Sequence, residues 1–338
     1  TCIVVPDTRA ALTAYARHVL RRPGLITVAI TGSSGKTTAK ELIAAVLARA
    51  PQQPVFRNQG SINGRYGLSI AAGELEPQHR LAVLELAADS FDEIRDLAEL
   101  TRPQVGVLTA ISEVHLATFG ALEAIANEKG RLLEALPAAG LAVLNADDPQ
   151  VLALASRTRA QVVTVGVNPT ADLAAHDVEV TTQGLAFGVG NAEPSGVRSP
   201  EWLGGARFTI RSRLLGRHQA PLLLSAVAVG LWFGVAPSEI AAALSEFRPL
   251  PGHLCPLAGR NGALLIDDTV NASPAATTAA LDVLELFARR PRVAVLGDMW
   301  DLGEQEVMAH RRVGRRASQA ADWLVVKGVR AQEIAAGA

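Results

Sequence analysis

The segment Thr31-Gly32-Ser33-Ser34-Gly35-Lys36-Thr37-Thr38 constrains the fold of this chain more than any other. Gly32 and Gly35 let the backbone bend so that several N–H groups converge on phosphate oxygens. Lys36 brings a positive charge to the terminal phosphates, and the Thr37 hydroxyl is a ligand for Mg²⁺. Such a loop works only between a strand and a helix, because the helix directs its positive end at the anion. Both flanks are present: Leu25 to Ile30 is a short apolar strand, and Ala39 to Ala50 reads as a helix rich in Ala and Leu. The commoner form of the loop carries a Gly six residues before the Lys, but Ile30 stands there, so this is a shortened variant. All eight residues from Thr31 to Thr38 are therefore candidates for binding a nucleoside triphosphate.

The alternation of strand and helix continues. Leu81 to Leu86 is an apolar strand interrupted by Glu85, Phe91 to Leu100 a helix, and Val105 to Thr109 a strand. Ala121 to Leu136 is a helix, and Leu141 to Leu144 a strand running into Asn145-Ala146-Asp147-Asp148. Before the loop, Asp7 caps a helix over 7–20, which Arg21-Arg22-Pro23-Gly24 ends. Repeated βα units imply a mostly parallel sheet covered by helices on both faces. From about 160 to 215 the segments alternate and are broken by Gly, Pro and Asn, predicting a small antiparallel sheet on the edge. Gly216 to Phe247 reads as helix. Pro249-Leu250-Pro251-Gly252 marks a boundary, beyond which a second, Rossmann-like α/β unit begins. Its strands are Ala263 to Ile266, Val293 to Leu296 and Trp323 to Val326, with a helix over Pro274 to Ala288.

Composition narrows the partners. Of the 338 residues, 49% are hydrophobic and 19% charged, which suits two or three domains with real cores and excludes a disordered chain. A net charge of −1 argues against nucleic acid and anionic membrane as partners. The dense cluster Arg311, Arg312, Arg315 and Arg316 reads as the solvated face of a helix. Cys2 and Cys255 are the only cysteines, too few and too far apart for a disulfide framework or a CxxC metal pair, which suits a cytoplasmic location. The apolar run Ala220 to Ala236 falls short of a membrane span and is expected to be a buried helix. The N-terminus has no signal-peptide pattern, and its start on Thr1 rather than Met reads as that of a fragment.

Three positions beyond the loop carry possible chemistry. Glu85 ends a buried strand on the edge where parallel sheets bind ligands, so it either holds a Mg²⁺ beside Thr37 or merely ends the strand at the surface. His115 follows the next strand in the same topological position, and a lone His fits a hydrogen-bonded structural residue as well as a ligand. Lys129 lies in a helix behind it, where a solvated surface charge is the ordinary reading.

In order along the chain, these segments resemble the Mur ligase superfamily. The carriers are Thr31 to Thr37, Leu84-Glu85-Leu86-Ala87, Thr101-Arg102-Pro103, Ala110 to Gly120 with His115, and Glu128-Lys129-Gly130. Asn145-Ala146-Asp147, Gly216-Arg217-His218, Pro251-Gly252, Asp267-Asp268-Thr269 with Asn271-Ala272, and Gly297-Asp298-Met299 with Leu302-Gly303 continue the series. The resemblance is strongest to the branch that adds D-alanyl-D-alanine to UDP-N-acetylmuramoyl-tripeptide in peptidoglycan synthesis. It implies an ATP-dependent amide-bond ligase working through an acyl phosphate, with UDP-muramoyl-peptide and dipeptide as small-molecule substrates and no membrane span. It also implies two Mg²⁺: one on Thr37 and Glu85, the other on His115 and a carbamylated Lys129, bridging phosphate and carboxylate. Lys36, His115 and Lys129 would be the catalytic residues, and Asp268 would reach the nucleotide from the second domain. The implied organisation is a remnant of an N-terminal domain and linker over 1–24, a central ATP-binding domain over 25–249, and a partial C-terminal ligase domain over 250–338, acting as a cytoplasmic monomer.

The sequence departs from the family pattern at Gly64, Ser69, Leu222, His253 and Val270, where a second Asn, a Pro, an Asn, an Arg and a Tyr are expected. These departures leave open a ligase for another acceptor, such as folylpolyglutamate or a modified cell-wall precursor, or a nucleotide-binding paralogue without ligase activity.

Overall fold

The computed structural model describes all residues except 1, 52, 53, 61, 192–200 and 204–206. The first part of the chain runs α1 (Thr8–Leu20), β1 (Ile26–Thr31), α2 (Lys36–Leu47), β2 (Val55–Arg57), α3 (Arg65–Ala71), β3 (Leu81–Glu85) and α4 (Glu93–Thr101). It continues with β4 (Val105–Leu108), α5 (Leu116–Phe119), α6 (Leu122–Glu134), β5 (Leu141–Asn145) and α7 (Pro149–Leu152). Then come β6 (Gln161–Gly166), β7 (Leu173–Thr181), β8 (Gly184–Asn191), β9 (Phe208–Ser212), α8 (Ala220–Trp232) and α9 (Pro237–Glu246).

Among the described residues these strands form one nine-stranded sheet in the order β2-β3-β1-β4-β5-β6-β7-β8-β9. β2 to β7 pair in parallel, and β7-β8-β9 are antiparallel. The expected edge sheet is therefore a continuation of the main sheet. A parallel strand is covered on both faces, which is why Leu81-Ala82-Val83-Leu84 shows no polar alternation and is buried throughout. Side chains still sort by parity. Val28 and Ile30 pack with α2, α8 and α9 on one face, while Ala29 and Leu84 pack with α1, α3, α4 and α6 on the other. A third cluster, from Leu108 through Ile125 to Leu144, joins β4 and β5 to α5 and α6.

Several boundaries differ from expectation for local reasons. α2 begins at Lys36, three residues early, because the end of the phosphate loop is itself the first helical turn. The helix expected over 216–247 is broken: α8 ends by Gly234, which has φ +75°, and α9 restarts at Pro237. α8 is buried on nearly every side between α2, α9 and the sheet, which explains its uninterrupted apolar sequence. No helix among the described residues is long and apolar enough to cross a membrane.

The remainder of the chain contains β10 (Cys255–Ala258), β11 (Leu264–Asp267), α10 (Pro274–Glu285), β12 (Val293–Gly297), α11 (Glu306–Ala320), β13 (Trp323–Lys327) and α12 (Gln332–Gly337). β10 and β11 make an antiparallel hairpin, and β12 and β13 a separate parallel pair joined by α11. Met299, Val313, Ala317 and Ile334 form the core of this part. The arginines of α11 lie on its solvated face but are engaged: Arg311 pairs with Glu333, and Arg316 with Asp282 and Glu285. Arg312 reaches out of this unit to Glu113, beside His115.

Candidate active site

The phosphate loop leaves β1, the strand whose neighbours are β3 and β4, and the ends of both neighbours hold it. Thr31 Oγ1 donates to Leu86 O at 2.8 Å on the β3 side. On the β4 side Ser33 N donates to Ala110 O at 2.7 Å, and Thr109 Oγ1 donates to Ser34 O at 2.6 Å. Ser33 Oγ also accepts from Ser112 N at 2.9 Å. At Gly32 a Cβ would collide with Thr109 Oγ1, and Gly35 has φ +76°, so both positions require glycine. The loop is thus fixed before any ligand arrives, with the free N–H groups of the first turn of α2 at its mouth. Lys36 Nζ folds back onto Gly32 O (3.0 Å). Burial holds its pKa below that of an ordinary lysine, against the opposing pull of Glu85.

Glu85 is 1% exposed at the end of β3, level with Ile30 across the strand pair. Its Oε2 accepts from Thr37 Oγ1 at 2.8 Å and its Oε1 from Asn63 Nδ2 at 2.7 Å. Its backbone N–H donates to Asn58 Oδ1 at 3.0 Å. The sequence reading paired Thr37 with Glu85, and the structure brings them together. It missed the support beneath them. Lys40, fully buried one turn after Lys36 on the same face of α2, donates to Asn58 O (2.6 Å) and Gly60 O (2.9 Å) and pairs with Glu41 (3.2 Å). A second lysine at i+4 in an Ala/Leu-rich helix was the available signal.

Lys129 is not the solvated charge its helix suggests, since it is 2% exposed on the inner face of α6. Burial, reinforced by the nearby charge of Lys36 and opposed by Glu128 and Glu93, lowers its pKa to about 7. No carboxylate stands within ion-pair distance of its amine among the described residues. The adjacent Glu128 faces the other way, accepting from Asp92 N (2.9 Å) and Ile94 N (2.8 Å) at the start of α4.

His115 opens α5 with φ +56°, and its Nδ1 lies 2.7 Å from Asp301 Oδ2 in the second unit. Asp268 accepts from Leu254 N at 3.1 Å, and burial raises its pKa. Asp267 accepts from Gly252 N at 3.0 Å. Both acids therefore brace the turn at 252–254, and among the described residues Asp268 makes no hydrogen bond to the phosphate loop. A cleft of about 790 Å³ opens beside Thr37, between Gly60 on one side and Leu250, Pro251, His253 and Val270 on the other. Leu222 packs its methyl groups against Gly35, so an apolar residue backs the loop. His218 is exposed to solvent, and its closely packed surroundings lower its pKa against the opposing charge of Asp282.

The phosphate loop held by both neighbouring strands, the buried acid on its threonine and the cleft shared with a second α/β unit define a two-unit α/β protein with a phosphate-loop site. A family model described as the Mur ligase middle domain matches residues 30–230, and one described as the Mur ligase glutamate ligase domain matches 255–338. The chain belongs to the Mur ligase family.

Among its relatives is the UDP-N-acetylmuramoyl-tripeptide–D-alanyl-D-alanine ligase of Mycobacterium tuberculosis, 37% identical over 300 residues that cover 87% of this chain and 56% of the relative. The Escherichia coli protein of the same name is 33% identical over 94% of this chain and 68% of its own length. Among solved structures, MurF from Acinetobacter baumannii superposes with a TM-score of 0.88 at 29% identity, covering 99% of this chain and 71% of its own. MurF ligase from Thermotoga maritima in complex with ADP gives 0.85 at 26% identity, covering 98% and 74%. The chain thus spans little more than half the length of the mycobacterial relative.

Proposed function

We propose that this chain is the ATP-binding and part of the C-terminal portion of an ATP-dependent amide-bond ligase that joins D-alanyl-D-alanine to UDP-N-acetylmuramoyl-tripeptide. The observation that carries the reading is the buried Glu85 carboxylate held on the Thr37 hydroxyl at 2.8 Å at the base of the phosphate loop. The names of the relatives and the ADP complex of the Thermotoga protein support the substrates. The domain division 1–24, 25–249 and 250–338, the cytoplasmic location and the monomeric state belong to the same proposal.

In this reaction a substrate carboxylate oxygen attacks the γ-phosphorus and the β–γ bridge breaks, giving an acyl phosphate and ADP. The amine then attacks the acyl carbon, the C–O bond to phosphate breaks, and amide and phosphate leave. Two anions must meet in the first step, so the site has to supply positive potential. The amides of residues 32–37 and the positive end of α2 hold the phosphates, and Lys36, released from Gly32 O, would pair with them.

The donors fit Mg²⁺. Glu85 is a buried carboxylate and Thr37 a hydroxyl, both hard oxygen ligands. Thr37 and Glu85 would hold one cation, and His115 and Lys129 a second. When bound, Mg²⁺ supplies charge neutralisation on the phosphate oxygens.

Lys129 fits the second set as a carbamate. With a pKa near 7 its amine is half neutral at pH 7, where an ordinary lysine is neutral in about one molecule in 3,000, so it is primed to add CO₂. The product is an anion, which turns the repulsion from Lys36 into attraction and provides oxygen donors.

The test is ATP-dependent phosphate release by the full-length protein given UDP-muramoyl-tripeptide and D-alanyl-D-alanine. Release that needs both substrates supports the reading. ATP binding with no release for any amine acceptor overturns it and leaves a nucleotide-binding paralogue.

A further inference from the structure

The contact between His115 and Asp301 crosses from one unit to the other, 186 positions along the chain. The two units meet at this point in several ways. Asp301 O accepts from Ala117 N at 3.3 Å, Gly303 lies against Ala117, and Arg312 pairs with Glu113. The loop that presents Asp301 is braced inside its own unit. Met299 N donates to Nε2 of the fully buried His310 at 3.1 Å, whose Nδ1 donates to Glu306 O at 2.7 Å. Asp298 Oδ1 accepts from Ala331 N at 2.7 Å, and the Arg330 guanidinium stacks on Trp300 at 4.2 Å. Asp301 itself has φ +63° and His115 φ +56°, so both ends of the contact sit in the left-handed region that residues with a side chain rarely occupy.

A carboxylate can only accept, so the hydrogen of this bond belongs to His115 Nδ1. In the neutral ring that leaves Nε2 with the lone pair, and among the described residues Nε2 has no partner. We propose that Asp301 is a positioning residue: by holding the Nδ1 hydrogen of His115 it presents Nε2 as the ligating nitrogen, and so makes cation binding at His115 depend on docking of the second unit. The proposal rests on the ligase reading, in which His115 is a cation ligand. It gives domain closure a chemical consequence, because the carboxylate that orients a ligand of one unit is carried by the other. Carboxylates that accept from the far nitrogen of a ligating histidine commonly matter 10–100-fold in metal affinity.

The experiment uses the full-length protein with Mn²⁺ and a non-hydrolysable ATP analogue. Electron spin echo envelope modulation reads imidazole nitrogen coupled to the bound Mn²⁺, a titration reads its affinity, and steady-state kinetics separate kcat from KM for ATP. His115→Ala fixes the signature of lost coordination. Asp301→Ala is expected to lower Mn²⁺ affinity about 10–100-fold and weaken the nitrogen signal, lowering kcat with little change in KM for ATP. Asp301→Asn, which keeps an acceptor oxygen, is expected to recover most of it. Arg312→Ala, which breaks a different ion pair across the same contact, is expected to change neither measure more than about twofold. A merely mechanical latch predicts similar losses in Asp301→Ala and Arg312→Ala, which overturns the proposal. Wild-type affinity and signal in Asp301→Ala overturn it while leaving the ligase reading intact. Absence of nitrogen coupling in the wild type removes His115 as a ligand and the proposal with it, and phosphate release on the same preparation shows whether the ligase reading falls too.

Discussion

Replacing Lys129 with Met tests how this site is built, because the buried amine is kept at a cost that varies with pH. Folding lowers its pKa from 10.5 to about 7, chiefly by desolvation. At 1.36 kcal/mol per unit, burying the charged form costs about 5 kcal/mol. Below pH 7 the amine is charged in both folded and unfolded chains, and the whole penalty is present. Between pH 7 and 10.5 the unfolded chain binds the extra proton, so stability rises with pH at up to ~1.4 kcal/mol per unit. Above 10.5 the penalty is gone. Met has a similar length and no charge, so Lys129→Met is expected to be more stable than the wild type by several kcal/mol at pH 6–7, with the gap closing by pH 10. Urea denaturation across this range in CO₂-free buffer measures the gap. A difference independent of pH would refute the reasoning, because the amine would then be solvated or already paired.

Other expectations follow from the same geometry. The pKa of His218 is lowered from its ordinary 6.5, so stability is expected to fall as pH drops below 6.5, where the unfolded chain takes up the proton first, and by only a small amount because the exposed ring is screened by solvent. His218→Gln should flatten that stretch of the urea midpoint against pH, and an unchanged slope would contradict the assignment. Lys40→Met leaves Asn58 O and Gly60 O short of a donor, for an expected loss of ~2–4 kcal/mol in urea unfolding; a loss under ~0.5 would mean that Lys40 does not brace the loop. Glu85→Gln keeps the shape and removes the charge, so calorimetry should find ATP binding weakened at least about tenfold with Mg²⁺ and little changed in EDTA.

How much of this was legible depended on how local each signal was. The phosphate loop and the strands beginning at residues 26, 81, 105 and 141 are written in contiguous residues, because a shortened glycine loop and unbroken apolar runs admit few structures. The start of α2 was not, since Lys36-Thr37-Thr38 reads as the end of a loop although it is already the first helical turn. β10 contains Pro256, which argues against a strand, yet as half of a two-stranded hairpin it tolerates one missing donor. Thr37 and Glu85 were paired because both lie on one edge of a parallel sheet. Lys129 drew notice only through resemblance to a family, as its burial is decided by packing that no single helix encodes. Asp301 gave no sign, because its importance lies in a contact 186 residues away.

The most direct measurement of the central claim is the fate of a labelled oxygen. The full-length protein would be given ATP, D-alanyl-D-alanine and UDP-muramoyl-tripeptide carrying ¹⁸O in the reacting carboxylate, and the released phosphate analysed by mass spectrometry. Attack of that carboxylate on the γ-phosphorus predicts phosphate containing one ¹⁸O for each amide formed. Unlabelled phosphate would mean that water, not the substrate carboxylate, receives the phosphoryl group at this site, and the ligase account would be wrong.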